Sequence, residues 1–473
     1  MLLLAPVALA SPTCDDTYDV PPNPLDQRDY PNIEVGTYHL GPRGTGLEGR
    51  IVVPSTRGSE TFPTAWIGHG AGFAVDEYAT LQEHLAHAGI ASVSFEYVES
   101  SPDQYDAHAF ESALLDHLAS LHGSGGTGYT PLAAHLRDRV ALVGHSVAGG
   151  FVVASADAVV SQGVVDLSAV VSLAPNNEDH YAMARPQAQG LLVVFGSDDA
   201  DPGVNTTWAS GFGLYDLSGS EASFSGPNEQ RFSKTMVYVQ GARHDSFAAG
   251  TAQADVVNAY TVAYLRWALL DDQPQHVFFK QAEPLDPSTG VQLQWSEFVY
   301  RSVLENFEDS STLTNTMGGF NVHQDVSVVE GPAANLDGDS PHHSRVAWVT
   351  WTGAGDPQLS LHVSGYVGGT LDVSRRRYLA LRVGQHAGVG SATDFSVVLE
   401  DASGATVSHP ISDFGTVRAP FTGASHTDAP METILVPLCA YDDLDRGHLT
   451  EVHLAFDRRT SGAIQLDSLE FID

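Results

Sequence analysis

The chain has 473 residues, which at about 100–200 residues per domain leaves room for two or three domains, each with a core of its own. Its 22 Lys and Arg against 58 Asp and Glu give a net charge of −36 at pH 7, so nucleic-acid phosphates and anionic lipid are repelled rather than attracted. With 42% hydrophobic and 17% charged residues, the composition is that of a folded globular protein and not of a disordered acidic chain.

Residues 1–10, Met1-Leu-Leu-Leu-Ala-Pro-Val-Ala-Leu-Ala10, form a short apolar run ending in Ala8-x-Ala10. That is the small-residue pattern of a signal-peptide cleavage site, although no basic residues precede it. It predicts a secreted or periplasmic protein. No other stretch approaches the ~18 consecutive apolar residues of a membrane-spanning helix. The two cysteines, Cys14 and Cys439, are too few for a disulfide framework. Cys439, in the strand-like Val436-Pro-Leu-Cys439-Ala, reads most simply as a buried small apolar residue; a Cys14–Cys439 bridge is the alternative in an exported chain.

From about residue 34 to 270, β-branched runs alternate with helical patterns. Strands are predicted at 50–53, 65–67, 91–97, 140–143, 169–173, 191–195 and 236–239. Val75, Tyr78, Leu81 and Leu85 recur at helical spacing before Gly89, a helix-ending glycine, and Phe110, Leu114, Leu118 and Leu121 do likewise. Residues 252–270 make a last long helix. Such alternation predicts an α/β domain over 11–275, a mostly parallel sheet with flanking helices. The Gly- and Ser-rich stretch 196–233 is a long loop of the kind that usually carries function.

Polar, Pro-rich sequence at 276–302 predicts a linker. Beyond it helical periodicity disappears. Alternating runs at 377–383, 394–399, 433–438, 451–456 and 463–471, separated by Gly, Asp and Ser turns, predict an antiparallel β-sandwich over 303–473.

The chemistry starts at Val140-Ala-Leu-Val-Gly144-His145-Ser146-Val147-Ala148-Gly149-Gly150, a serine between a buried-strand pattern and a small-residue helix start. A turn that sharp strains the serine backbone and stands its hydroxyl clear of the sheet. Ala148 replaces the final glycine of Gly-x-Ser-x-Gly, one methyl more. A nucleophilic serine needs a base, and His244, in Gln240-Gly-Ala-Arg-His244-Asp-Ser-Phe247, follows the last strand where active-site loops gather. The acid that orients the histidine should follow the preceding strand, where Asp199 is the first choice and Asp201 the second. For the developing oxyanion, Gly68-His-Gly70-Ala71-Gly72-Phe73 is a glycine-rich turn whose backbone N–H, at Ala71 or else Gly70, would act with that of Val147.

These four segments resemble the α/β-hydrolase family over about residues 34–270, and more narrowly its secreted esterase and lipase branch, with the dienelactone-hydrolase-like and PET-hydrolase/cutinase-like proteins. The resemblance implies hydrolysis of carboxylic esters through an acyl-enzyme on Ser146, without cofactor or metal. Cutinase-like members often carry an aromatic residue where this chain has Ala71, which argues against aromatic polyesters as substrates; Phe73 or Trp208 would have to supply the aromatic wall. Leu304-Glu-Asn-Phe307-Glu-Asp309 and Gly462-Ala-Ile-Gln-Leu-Asp-Ser-Leu-Glu-Phe471 look like the first and last strands of a galactose-binding-like jelly roll, which implies a carbohydrate ligand or a purely stabilising domain. Asn335-Leu-Asp337-Gly-Asp339 reads as turn chemistry rather than a Ca²⁺ loop, since no bidentate glutamate follows. His342-His343 reads as a solvent-exposed pair. The expected activity is thus a serine esterase or lipase acting on a small or polymeric ester, with an amidase or peptidase using the same machinery. The rival from another class is a carbohydrate- or polymer-binding protein with a silent hydrolase domain. Oligomeric state is not legible in the sequence.

Overall fold

Strand runs that are apolar on both faces must be covered on both faces, and the first half of the chain obeys this rule. The computed structural model describes residues 21–40, 48–55, 58–97, 106–123, 126–176, 188–200, 211–218, 232–248, 251, 253–280, 285, 290–297, 301–308, 311–336, 340–353, 355–366, 368–386, 390–422 and 427–473. The expected leader at 1–10, Cys14, Asp201, Trp208 and Asp337–Asp339 lie outside them.

The strands β1 (Ile33–His39), β2 (Glu48–Pro54), β3 (Phe62–Gly68), β4 (Ala91–Phe95), β5 (Leu136–His145), β6 (Asp166–Leu173), β7 (Gly190–Gly196), β8 (Ser233–Val239) and β9 (Val291–Glu297) form one mixed sheet. Their order is β1-β2-β4-β3-β5-β6-β7-β8-β9. The pairs β1–β2, β2–β4 and β8–β9 are antiparallel, and every pair from β4 through β8 is parallel. Side chains alternate between two apolar layers. Trp66 of β3, Leu142 of β5 and Val193 of β7 pack on α2 (Ala107–His122), α3 (Val147–Ala154), α4 (Ala156–Gln162) and α5 (Gly211–Leu217). Ile67, Val143 and Val194, one residue along each strand, pack instead on α1 (Ala79–His87), α6 (Ala254–Leu270) and α7 (Gln273–Lys280). Burying one such side chain contributes roughly 1.5–3 kcal/mol.

Local chemistry sets the helix ends. Asp106 caps α2 by accepting from the N–H groups of His108 and Ala109, satisfying two donors that the helix cannot. Gly89 takes φ +86° just beyond α1, and Ile90 N–H returns to the Leu85 carbonyl, a left-handed stop that glycine adopts without penalty.

Two expectations change here. The 276–302 segment is not a bare linker: α7 begins before it and runs into it, and β9 within it extends the sheet beyond β8. The long 196–233 stretch holds α5, whose Phe212, Leu214 and Tyr215 are buried in the sheet's first apolar layer.

The C-terminal part is built from two antiparallel sheets. One holds β10 (Ser302–Glu305), β12 (Val326–Pro332), β13 (Arg345–Thr352), β15 (Tyr378–Gln385), β20 (Met431–Pro437) and β22 (Ser461–Ile472). The other holds β11 (Asn321–Gln324), β14 (Gln358–His362), β16 (Ser396–Asp401), β17 (Thr406–Pro410) and β21 (Leu449–Ala455). A separate short pair joins β18 (Phe421–Thr422) to β19 (Thr427–Asp428). Leu379, Leu381 and Val383 of the first sheet share one core with Val397, Leu399, Val452 and Leu454 of the second, the alternation expected of packed sheets. Cys439 lies in a 3₁₀ turn, Leu438–Tyr441, after β20. It is buried, as expected, and it is disulfide-bonded; Cys14, the partner expected in the alternative reading, lies outside the described residues.

The outer face of β15 meets the first sheet's domain. Arg382 bonds Asp216 of α5 at 2.5 Å and Gln294 of β9 at 2.9 Å, and also pairs with Asp467. The Oγ1 of Thr433 accepts from Trp295 N–H and donates to the Trp295 carbonyl, both at 2.9 Å. His342, expected at the surface, is 0% exposed. Met431 N–H donates to its Nε2, so its Nδ1 proton is directed at Asp216, 3.2 Å away. Burial alone would raise the Asp216 pKa, but Arg382, His342 and Lys234 together hold it well below the usual carboxylate range.

Candidate active site

Parallel strands end on the same side of a sheet, so the turns that follow β3, β5, β7 and β8 are brought together at one edge. These are the four turns singled out above.

After β5 the backbone turns sharply into α3. Ser146 sits in that turn with φ 59° and ψ −126°, a conformation that non-glycine residues rarely hold unless the surroundings enforce it. The enforcing contacts are visible: Ser146 N–H donates to the Leu173 carbonyl at 2.9 Å, and its own carbonyl accepts from Gly149 and Asn176. Gly144 is needed because a Cβ there would lie 2.1 Å from the Ala148 carbonyl oxygen. The extra methyl of Ala148 is accommodated by a second glycine. It packs beside Gly68 of the neighbouring strand, where an added Cβ would stand 3.3 Å from it.

His244 opens a 3₁₀ turn after β8, and its Nε2 lies 2.9 Å from Ser146 Oγ. Its Nδ1 lies 3.1 Å from both carboxylate oxygens of Asp199, which follows β7. Asp199 is 1% exposed, so its carboxylate acts on the ring with little competition from water. The geometry fixes the roles: the carboxylate can only accept, so Nδ1 carries the proton and Nε2 is free to take the hydroxyl proton of Ser146. Ser146, Asp199 and His244 are therefore brought together as one relay, while Asp201 lies outside the described residues. Asp198 accepts instead from Ser197 Oγ. Gly196 closes this corner, since a Cβ on it would lie 2.1 Å from the Ala242 carbonyl oxygen.

The glycine-rich turn after β3 runs directly against Ser146: a Cβ on Gly70 would lie 2.8 Å from the Ser146 Cβ. Gly70 N–H is occupied by Tyr78 Oη at 3.0 Å, whereas Ala71 N–H makes no backbone hydrogen bond among the described residues. Val147 is the first residue of α3, where helical N–H groups have no acceptor one turn back. Phe73 stands edge-on to His145, ring centroids 4.8 Å apart.

Sequence reasoning passed over two buried groups of this site, Tyr78 and His145. Tyr78 appears there only as one apolar position of a helix, and His145 only as the variable residue before the serine. A histidine inside an otherwise apolar strand end is the signal that would have raised the second.

Among the described residues no group of three His, Cys, Asp or Glu side chains is disposed to hold a metal ion, and no helix is long and apolar enough to cross a membrane. No protein-family model matches the chain, and no curated protein matches it.

Proposed function

We propose that this protein is a serine hydrolase of carboxylic esters, built on an α/β-hydrolase scaffold and followed by a jelly-roll-like β-sandwich. The observation that carries the proposal is the relay of Ser146 Oγ, His244 Nε2 and, through Nδ1, the Asp199 carboxylate, at 2.9 and 3.1 Å. The strand order and the strained serine turn support the scaffold assignment. A disulfide at Cys439 supports export, because such bonds persist in oxidising compartments.

In this reading His244 removes the Ser146 proton as Oγ attacks the ester carbonyl, and Asp199 stabilises the imidazolium that forms. The carbonyl oxygen becomes an oxyanion held by the N–H groups of Val147 and Ala71, and the positive end of α3 adds to its stabilisation. His244 then gives its proton to the departing alcohol, leaving an acyl group on Ser146. A water, deprotonated by His244, attacks the acyl carbon, and as the bond to Ser146 Oγ breaks His244 returns that proton to Oγ, which frees the acid and restores both residues. No cofactor enters any step.

The test is hydrolysis of p-nitrophenyl esters from acetate to palmitate by the full chain and by Ser146→Ala, with a fluorophosphonate label mapped by mass spectrometry. Turnover lost in the variant and a label on Ser146 are expected; a folded wild type without turnover on any ester, or a label elsewhere, refutes the proposal. Matched ester and amide substrates separate an esterase from an amidase.

A second observation favours a binding role for the sandwich. A cleft of about 490 Å³ is lined by Phe320, His362, Tyr366, Glu400 and Glu451, among others, and Tyr366 is 85% exposed. Exposed rings beside carboxylates suit a carbohydrate or polymer chain, which would raise the local substrate concentration for the neighbouring site.

A further inference from the structure

Three hydrogen bonds join the candidate active site from behind. Gly70 N–H meets Tyr78 Oη at 3.0 Å, Tyr78 Oη meets His145 Nδ1 at 2.8 Å, and His145 Nε2 meets the His244 carbonyl at 3.0 Å. Both ends of this chain are unambiguous. An amide N–H can only donate, so Tyr78 Oη accepts from Gly70 and has its own proton to give. A carbonyl oxygen can only accept, so His145 carries its proton on Nε2 and presents a lone pair at Nδ1 to the tyrosine. One polarity therefore satisfies all three contacts, each donor strengthening the next.

The surroundings keep that polarity in place. Tyr78 is 1% and His145 0% exposed. Burial pushes the Tyr78 phenol above its ordinary pKa. Burial, reinforced by the neighbouring His244 and His69, pushes His145 down to about 3, so neither group changes charge in the range where a serine hydrolase works. Phe73 and Phe247 flank the His145 ring, with centroids at 4.8 and 6.0 Å.

We infer that Tyr78 and His145 are positioning residues which couple the oxyanion turn, the nucleophile turn and the base turn into one rigid unit. The bond to Tyr78 removes Gly70 N–H from the donors available to substrate and holds the turn so that Ala71 N–H is the one offered. The bond from His145 holds the His244 main chain while the side chain of the same residue takes protons from Ser146. Neither Tyr78 nor His145 reaches the reacting atoms: they act through Gly70 and His244. The inference rests on the proposed ester hydrolysis for its kinetic consequence, but not for its hydrogen-bond pattern.

The test has two arms on the full chain. In the kinetic arm, Tyr78→Phe should lower kcat on p-nitrophenyl butyrate by about 10- to 100-fold, the range expected when reacting groups drift by a fraction of an ångström to an ångström, with KM changed less than about threefold. His145→Gln, which keeps an acceptor and a donor, should retain more kcat than His145→Leu. In the spectroscopic arm, long-range ¹H–¹⁵N correlation of histidine-labelled wild type should show His145 as the neutral Nε2–H tautomer from pH 8 to pH 5. Wild-type His145 protonated at Nδ1, or titrating above pH 5, overturns the inference whether or not any variant folds. Folded Tyr78→Phe with kcat within twofold of wild type, or equal losses in the Gln and Leu variants, also overturns it. An inactive wild type with the expected tautomer would refute ester hydrolysis and leave the coupling standing.

Discussion

Asp199→Asn isolates one proton acceptor with almost no change in shape. In the structure both Asp199 oxygens lie 3.1 Å from His244 Nδ1, and the residue is 1% exposed. A carboxamide in that place can turn its NH₂ toward the ring and donate to Nδ1, which leaves the ring proton on Nε2, facing Ser146. The histidine is then the wrong tautomer to accept the serine proton. A buried Ser-His-Asp relay broken in this way loses about 10⁴-fold in kcat, which is about 5 kcal/mol of transition-state stabilisation. In the proposed mechanism the residual rate would come from the oxyanion donors and substrate binding, neither of which the substitution touches. The assay is steady-state hydrolysis of p-nitrophenyl butyrate at saturating substrate, with thermal unfolding of both proteins to confirm that the fold survives. A KM near the wild-type value is expected, because Asp199 does not touch substrate. If kcat of a folded Asp199→Asn protein stays within tenfold of wild type, the relay does not use Asp199 and the reasoning fails.

Two stability predictions follow from the buried polar groups. Asp216→Ala leaves Arg382 and His342 without their shared partner between the two β layers and should cost about 3–5 kcal/mol by urea unfolding; Asp442→Ala, which removes an exposed carboxylate from its pair with the mostly buried Arg446, should cost about 1 kcal/mol or less. Since the Asp216 pKa is depressed in the fold, its contribution is present above about pH 4 and is lost as the pH falls below that. His117, buried and pushed down to about 4, works in another window. The unfolded chain takes up this proton near pH 6.5 and the folded chain does not, so stability falls as the pH drops below 6.5. Between pH 7.5 and 5 the loss from this group is about 2 kcal/mol, and His117→Gln, measured at constant ionic strength, should lose that much less than wild type over the same interval. Equal pH dependence of the two proteins would refute it.

How far the sequence carries can be seen at particular residues. The alternation at Ile67 and Trp66, or Val193 and Val194, is a local pattern, and it places strands buried on both faces before any contact is known. Gly144, Gly68 and Gly70 are likewise readable as close approaches of backbone, because a missing side chain has few other uses beside a serine turn. The segment at 276–302 is misread for the converse reason: Val291–Glu297 mixes polar Gln and Ser with its apolar residues, and only its partners, β8 on one side and Thr433 on the other, make it a strand. His342 is misread in the same way, since two adjacent histidines look solvated until Asp216, 126 residues away in sequence, is folded against one of them.

The sequence by itself determined the alternation of strands and helices in the first part, the all-β texture of the second and the turns at which chemistry could be placed, because these depend on periodicity and on neighbours along the chain. Only the tertiary structure decided that Ser146, His244 and Asp199 lie within hydrogen-bonding distance, that Gly70 N–H is spent on Tyr78, and that Arg382 is sealed between the two domains. The reason is physical. Propensity and hydrophobic pattern act over a few residues, whereas the direction of a hydrogen bond and the burial of a charge depend on groups that meet only once the chain is packed.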